Sequence, residues 1–201
     1  MPEGNRTSSN RRHDGFYFRA GLGYGNVGID ASLANAPYAV NYGGSGGGVA
    51  AELAFGGTPA RGLVVGAGIY GINAGSPSYD SISDGRGAEY SAGAVPGAIL
   101  LSMLGPFIDF YPKPDLGFHL EASLGLARVV VGDGHGKLDA VDTTGLGLMA
   151  GAGYEWWIGD QWSIGPLLRV QYAAPSAKDN DGDSFDLSFL SWGLIAAATY
   201  H

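Results

Sequence analysis

His119, Glu121 and Ser123 stand at i, i+2 and i+4, so on an extended chain one face carries a base, a carboxylate and a hydroxyl. Those are the parts of a nucleophilic hydrolase, in which an acid orients a histidine that deprotonates a serine. The spacing argues against that use. Four residues along a strand span roughly 13 Å, whereas a base must sit about 3 Å from its nucleophile. No catalysis is expected from them. A second set, Asp179, Asp181 and Asp183, alternates carboxylates around Gly182, as a hard cation prefers. The order is not that of an EF-hand loop, so an acidic turn is expected and no metal is assigned. Gly132-Asp133-Gly134-His135-Gly136 offers one histidine among ordinary turn formers. The runs Gly21-Leu22-Gly23-Tyr24-Gly25 and Gly43-Gly44-Ser45-Gly46-Gly47-Gly48 open no helix and carry no Lys-Ser/Thr pair, so neither reads as a phosphate loop. No cofactor is implied.

Composition narrows the class. A chain of 201 residues suits one domain. Glycine is frequent, at 36, but follows no triplet period, which excludes collagen. Apolar residues make up 45%, too many for disorder from lack of a core, whereas charged residues reach only 15%. That is a thin coat for a surface that must face water on all sides. A net charge of −8 excludes a nucleic-acid binder built on basic patches. The absence of cysteine removes disulfides, zinc thiolates and thiol catalysis. No apolar run approaches the roughly 20 residues of a membrane helix. Residues Met1 to His13 are polar and lack the apolar segment of an export leader, so a mature or recombinant form with a replaced leader is expected.

What must position these residues is a set of strands. Phe16, Phe18, Ala20, Leu22 and Tyr24 alternate with Tyr17, Arg19, Gly21 and Gly23. Three further stretches alternate as clearly, from Phe118, from Thr144 and from Trp162. Four others are placed near Gly46 to Phe55, Leu63 to Ile72, Ile99 to Tyr111 and Leu187 to Tyr200, with a phase slip between Phe185 and Leu190 that suggests a bulge. Connections alternate in length. Residues 30–44, 74–97, 132–143 and 174–184 are long, and 57–61, 112–115 and 159–160 are short. That rhythm is the one of transmembrane barrels, with tight periplasmic turns and larger outer loops. The expected fold is therefore all-β, an eight-stranded antiparallel up-and-down transmembrane β-barrel over residues 15–201, preceded by a polar tail over 1–14.

A soluble barrel alternates too, so the outward face needs its own argument. The polar face here is mostly Gly, Ser and Ala with a few charges, suited to filling a narrow lumen. Aromatics gather at the short-turn end, namely Phe16, Phe18, Phe55, Phe110, Phe118, Trp156, Trp162 and Tyr200, as in a membrane-interface girdle. With the polar face inside, Arg19, Glu52, Asp109, His119, Glu121, Glu155, Arg169 and Gln171 point into the lumen. Unpaired charges there are costly, so Arg19 and Arg169 are expected to bond with some of Glu52, Glu121 and Glu155 and to plug the interior. A narrow ion path or a gate of exchanging salt bridges is the alternative.

Three segments carry a family resemblance: Asp14 to Gly23, Gly105-Pro106-Phe107-Ile108-Asp109-Phe110-Tyr111-Pro112, and the closing stretch Trp192 to Tyr200. In them the chain resembles the small outer-membrane barrels of Gram-negative bacteria, OmpA/OmpX-like or OmpW-like. These usually end on an aromatic residue, and here Tyr200 is followed by His201. The resemblance implies an outer-membrane location among lipids and a non-enzymatic, structural or surface-contact role through the outer loops. Its OmpW-like side implies a porin-like conduit for hydrophobic molecules instead. The Ser, His and acid set also resembles that of an outer-membrane lipid-A deacylase, but it lies on the lumen face at the periplasmic end, away from outer-leaflet lipid. A monomer is expected, because a barrel in lipid needs no partner subunit.

Overall fold

The computed structural model describes residues 15–33, 40–83, 89–94, 97–114, 116–132, 141–178 and 184–201. The N-terminal tail lies outside the described residues, as do Asp179, Asp181, Asp183 and the segment 133–136. The strands are β1 (Gly15–Leu33), β2 (Val40–Ala60), β3 (Leu63–Ser83), β4 (Glu89–Ala94), β5 (Ala98–Phe110), β6 (Phe118–Gly132), β7 (Val141–Tyr154), β8 (Trp156–Trp157), β9 (Trp162–Lys178) and β10 (Ser184–Tyr200). Eight of them form the wall. Each pairs antiparallel with the next in the order β1-β2-β3-β5-β6-β7-β9-β10, and β10 returns to β1 from Phe18↔Tyr200 to Leu33↔Phe185. The sheet closes on itself, so no strand edge is left for lipid to meet unsatisfied backbone. β4 is the outer half of the same wall position as β5, paired with the far end of β3, and β8 is a short step beside β9 at an inner turn.

Alternation decides the faces. Leu22, Leu126 and Leu146 are more than 60% exposed, while their chain neighbours on the other face turn inward. A continuous belt of exposed Leu, Ile, Val and aromatic side chains runs around the wall. In water such a belt would drive aggregation, and in a bilayer it is the lipid contact. The chain is a transmembrane β-barrel. Among the described residues there is no helix.

The strands are longer than the sequence reading placed them, and this corrects the loop boundaries. β1 and β2 reach Leu33 and start again at Val40, β3 and β4 occupy most of 74–97, β7 starts at Val141, and β9 runs to Lys178. The expected bulge in β10 is also corrected. Its register with β1 is continuous through Leu190↔Gly28, Phe189↔Ile29, Ser188↔Asp30 and Leu187↔Ala31. What changes is polarity. On β1 the outward face reads Phe16, Phe18, Ala20, Leu22, Tyr24 and then Asn26, Gly28, Asp30. Its inward face reads Tyr17, Arg19, Gly21, Gly23, Gly25 and then Val27, Ile29. β10 does the same, with Leu194, Trp192 and Leu190 outward but Phe189 and Leu187 inward. In lipid the apolar side must face out. Where the wall projects into water, the apolar side turns in, as in a soluble barrel. Register shifts do occur, between β2 and β3 at Gly43/Gly44, Ser45/Gly47 and Gly57/Ala60.

The outer half of the lumen is thus apolar, which corrects the expectation of a small and polar interior throughout. Val27, Ile29, Ile72, Ile99, Leu101, Val129 and Phe189 pack there as one buried cluster. At the other end the turns are tight. Between β2 and β3 only Arg61 and Gly62 intervene, and Gly62 has φ +76°, where a side chain would be strained.

Candidate functional site

The inner half of the lumen is crossed by a charge network. Arg19 projects from β1 at a position in phase with Tyr17, and both are fully buried. Its Nε meets Glu52 Oε1 at 2.7 Å, its Nη1 donates to Asp109 Oδ2 at 3.0 Å, and its Nη2 pairs with Glu121. One guanidinium therefore ties β1 to β2, β5 and β6 across the barrel. Glu52 spends its second oxygen on Arg169 of β9, whose Nη1 donates to it at 2.8 Å. Both arginines and Glu52 have side chains shielded from solvent. A fork with five donors can serve several carboxylates at once, which a lysine could not do with the same geometry.

A second tier lies toward the short turns. His119 donates from Nδ1 to Asp109 at 2.8 Å and stacks on Tyr111 with ring centroids 5.0 Å apart. Tyr17 donates its hydroxyl to Asp109 at 3.1 Å and accepts from Arg19 at 3.0 Å. Glu155 accepts from Ser163 at 2.8 Å and from Thr199 at 2.6 Å, with His201 Nε2 at 3.1 Å and His119 Nε2 at 3.9 Å. His201 is itself buried. Its backbone N–H donates to the Gln161 carbonyl at 2.9 Å, and its ring sits among Tyr17, Tyr111 and Trp157.

All seven ionisable lumen residues proposed from sequence meet in this half of the barrel. The arginines pair with Glu52 and Glu121 among the three acids expected, and Arg19 also with Asp109, while Glu155 is held by hydroxyls and His201. Tyr17, on the inward face with Arg19 as the alternation implies, is joined by Tyr111, Ser163, Thr199 and His201. A signal was there, because each continues the inward phase of a strand already read or of the residue after it. Gln171 is buried inside as well.

The chemistry this arrangement supports is electrostatic closure. Ser123 donates its hydroxyl to the Pro106 carbonyl at 2.7 Å, while His119 is engaged by Asp109, so the described hydrogen bonds couple neither to the other. Among the described residues no group of three or more His, Asp or Glu is arranged to hold a metal ion.

Around the outside of the same end stand the aromatics. Phe16 lies 6.3 Å from Tyr200, Phe18 lies 5.0 Å from Phe55, and Trp162 lies 5.4 Å from Tyr200, centroid to centroid. Phe110, Phe118 and Trp156 also face outward, with Trp156 against Tyr154. Tyr200 turns its hydroxyl away from lipid to Gln161 at 2.8 Å. Tyr24 and Trp192 pack together higher on the wall, where the outward face turns polar. These two levels bracket the apolar belt.

The sequence matches no protein-family model and no curated protein. Solved structures match in fold. Neisserial surface protein A aligns over 92% of this chain and 96% of its own at 16% identity, with a TM-score of 0.52. Outer membrane protein OprG from Pseudomonas aeruginosa aligns over 95% and 99% at 12% identity and 0.53. Outer membrane protein AlkL aligns over 100% and 97% at 14% identity and 0.52. With the closed wall and its lipid-facing belt, these likenesses show that the chain has the fold of the small eight-stranded bacterial outer-membrane barrels.

Proposed function

We propose that the barrel is a closed, non-enzymatic outer-membrane protein acting through its outer end, in membrane integrity or surface contact. The observation that carries this reading is the double closure of the lumen. Arg19 and its three carboxylates span the inner half, and the cluster around Ile72, Leu101 and Phe189 fills the outer half. A small barrel filled in this way leaves no aqueous path. The wall rising past the lipid belt on β1, β2, β3 and β10 supports a role in presenting residues at the cell surface. The separation of His119 from Ser123 in hydrogen bonding supports the absence of hydrolase chemistry.

A second reading, a conduit for hydrophobic molecules, draws on one feature, the apolar lining of the outer lumen. For that use the packed side chains would have to part. Single-channel recording in a planar bilayer tests the first reading, with an essentially silent membrane as the expected result. Regular conductance steps at neutral pH would overturn it. Uptake of an apolar dye into barrel-containing vesicles above the rate of empty vesicles would favour the conduit.

A further inference from the structure

The inner lumen holds more acids than arginines. Among the described residues that face it, Glu52, Asp109, Glu121 and Glu155 stand against two guanidiniums, Arg19 and Arg169. The other basic groups at this level are imidazoles. His119 of β6 lies between two of the acids, with Nδ1 2.8 Å from Asp109 Oδ1 on β5 and Nε2 3.9 Å from Glu155 Oε1 between β7 and β8. His201 Nε2 approaches the other oxygen of Glu155, at 3.1 Å. The remaining titratable or charged neighbours are Tyr111, stacked on the His119 ring, and Tyr17 and Arg19 of β1, both bonded to Asp109. His119 thus sits where the arginine network meets the tier at the short turns.

A neutral imidazole has one N–H and one lone pair. Asp109 accepts from Arg19 and from the Tyr17 hydroxyl, and takes the Nδ1 proton of His119 as a further bond. In a neutral ring the Nε2 lone pair then faces Glu155, which is itself the acceptor of Ser163 and Thr199. A lone pair set against a carboxylate repels it. A second ring proton makes the contact attractive and offsets part of the excess negative charge. We propose that His119 is a proton-operated latch. As an imidazolium it joins the arginine network to the short-turn tier through Asp109 and Glu155, and it releases Glu155 when the Nε2 proton leaves for solvent. Arg19 keeps its three carboxylates in either state, so the lumen stays shut and the coupling of the two tiers is what changes. The inference uses the closed lumen of the proposed function but not its surface role.

The test joins a ring titration to a double-mutant cycle in the micelle-folded barrel. Nitrogen NMR shifts of the His119 ring report whether one or both of its nitrogens carry a proton at each pH. In the parent protein the Glu155 side-chain carboxyl resonance is expected to move in step with that titration. His119→Gln, Glu155→Gln and the double variant are then compared by urea midpoint, once where the parent ring holds two protons and once where it holds one. At the first pH the double variant loses less than the sum of the singles, and at the second the losses add. A ring with a single proton at every pH above about 5.5, a unit below the ordinary imidazole value, overturns the proposal without any variant. So does a Glu155 resonance indifferent to the His119 titration, or a cycle that is additive at both pH values. Planar-bilayer recording reads the closed lumen separately, so the two readings fail by different results.

Discussion

Arg19→Met removes the one group that holds three buried carboxylates together. The substitution keeps most of the side-chain volume, so the effect isolates charge and hydrogen bonding. At an effective dielectric of about 20, a charge pair at the 3.0 Å separation of Arg19 and Asp109 is worth roughly 5 to 6 kcal/mol in Coulomb terms. Glu52 at 2.7 Å and Glu121 add to that, but desolvation and the repulsion among the three acids cancel much of the sum. Measured losses on breaking one partner of a buried pair run at about 3 to 5 kcal/mol, which is the expected cost here. With a slope of about 3 kcal/mol per molar urea, the midpoint falls by about 1 to 2 M. The assay is urea unfolding of the vesicle-folded barrel, followed by fluorescence of its four tryptophans. Adding Glu121→Gln to the variant removes one stranded charge and recovers part of the loss. A single variant within about 0.5 kcal/mol of the parent, or a double variant lower than the single, would refute the account of Arg19 as the centre of the plug.

Other perturbations separate the zones of the wall. Leu124→Arg, facing lipid within the belt, costs about 2 to 4 kcal/mol, whereas Asp30→Arg, outward on β1 where its ladder partners are Gly43 and Ser188, costs about 0 to 1, both read as shifts in the same urea transition. Phe189→Ala opens a cavity in the outer lumen and lowers stability by about 3 to 5 kcal/mol, without creating conductance while the charge network stands. At Gly153 an added β-carbon meets the His119 ring, with Cε1 2.8 Å away, so Gly153→Val displaces that histidine from Asp109 at a cost of about 1 to 3 kcal/mol. The His119 ring resonances would then shift, and unchanged ones would count against the packing described.

Much of the wall was legible in the residues because lipid and lumen impose opposite demands on alternate positions. β1 at Phe16 to Tyr24 and β9 at Trp162 to Tyr172 show that contrast at most steps, inward Leu167 being an exception, and so does the placing of Arg19 and Arg169 inside. β2 was less legible. Its outer half holds five glycines between Gly43 and Gly48, and residues without side chains carry no alternation, although the ladder to β1 runs through them. β10 misled for a different reason. The change from Leu190 outward to Phe189 inward is what a register slip would also produce, and only the continuous pairing with β1 distinguishes a change of surroundings from a change of register. At the outer strand ends, polar and small residues signal turns in a membrane barrel, yet equally suit the outer surface of a wall standing in water.

The most direct test of a closed membrane barrel is electrophoretic mobility in SDS after folding into lipid vesicles, with boiled and unboiled samples compared. The unboiled barrel keeps its hydrogen-bonded wall and its plug, and is expected to migrate as a compact band distinct from the boiled chain. Identical mobility from a sample that stays monodisperse in detergent-free buffer would contradict the lipid-facing belt, and with it the assignment of inside and outside.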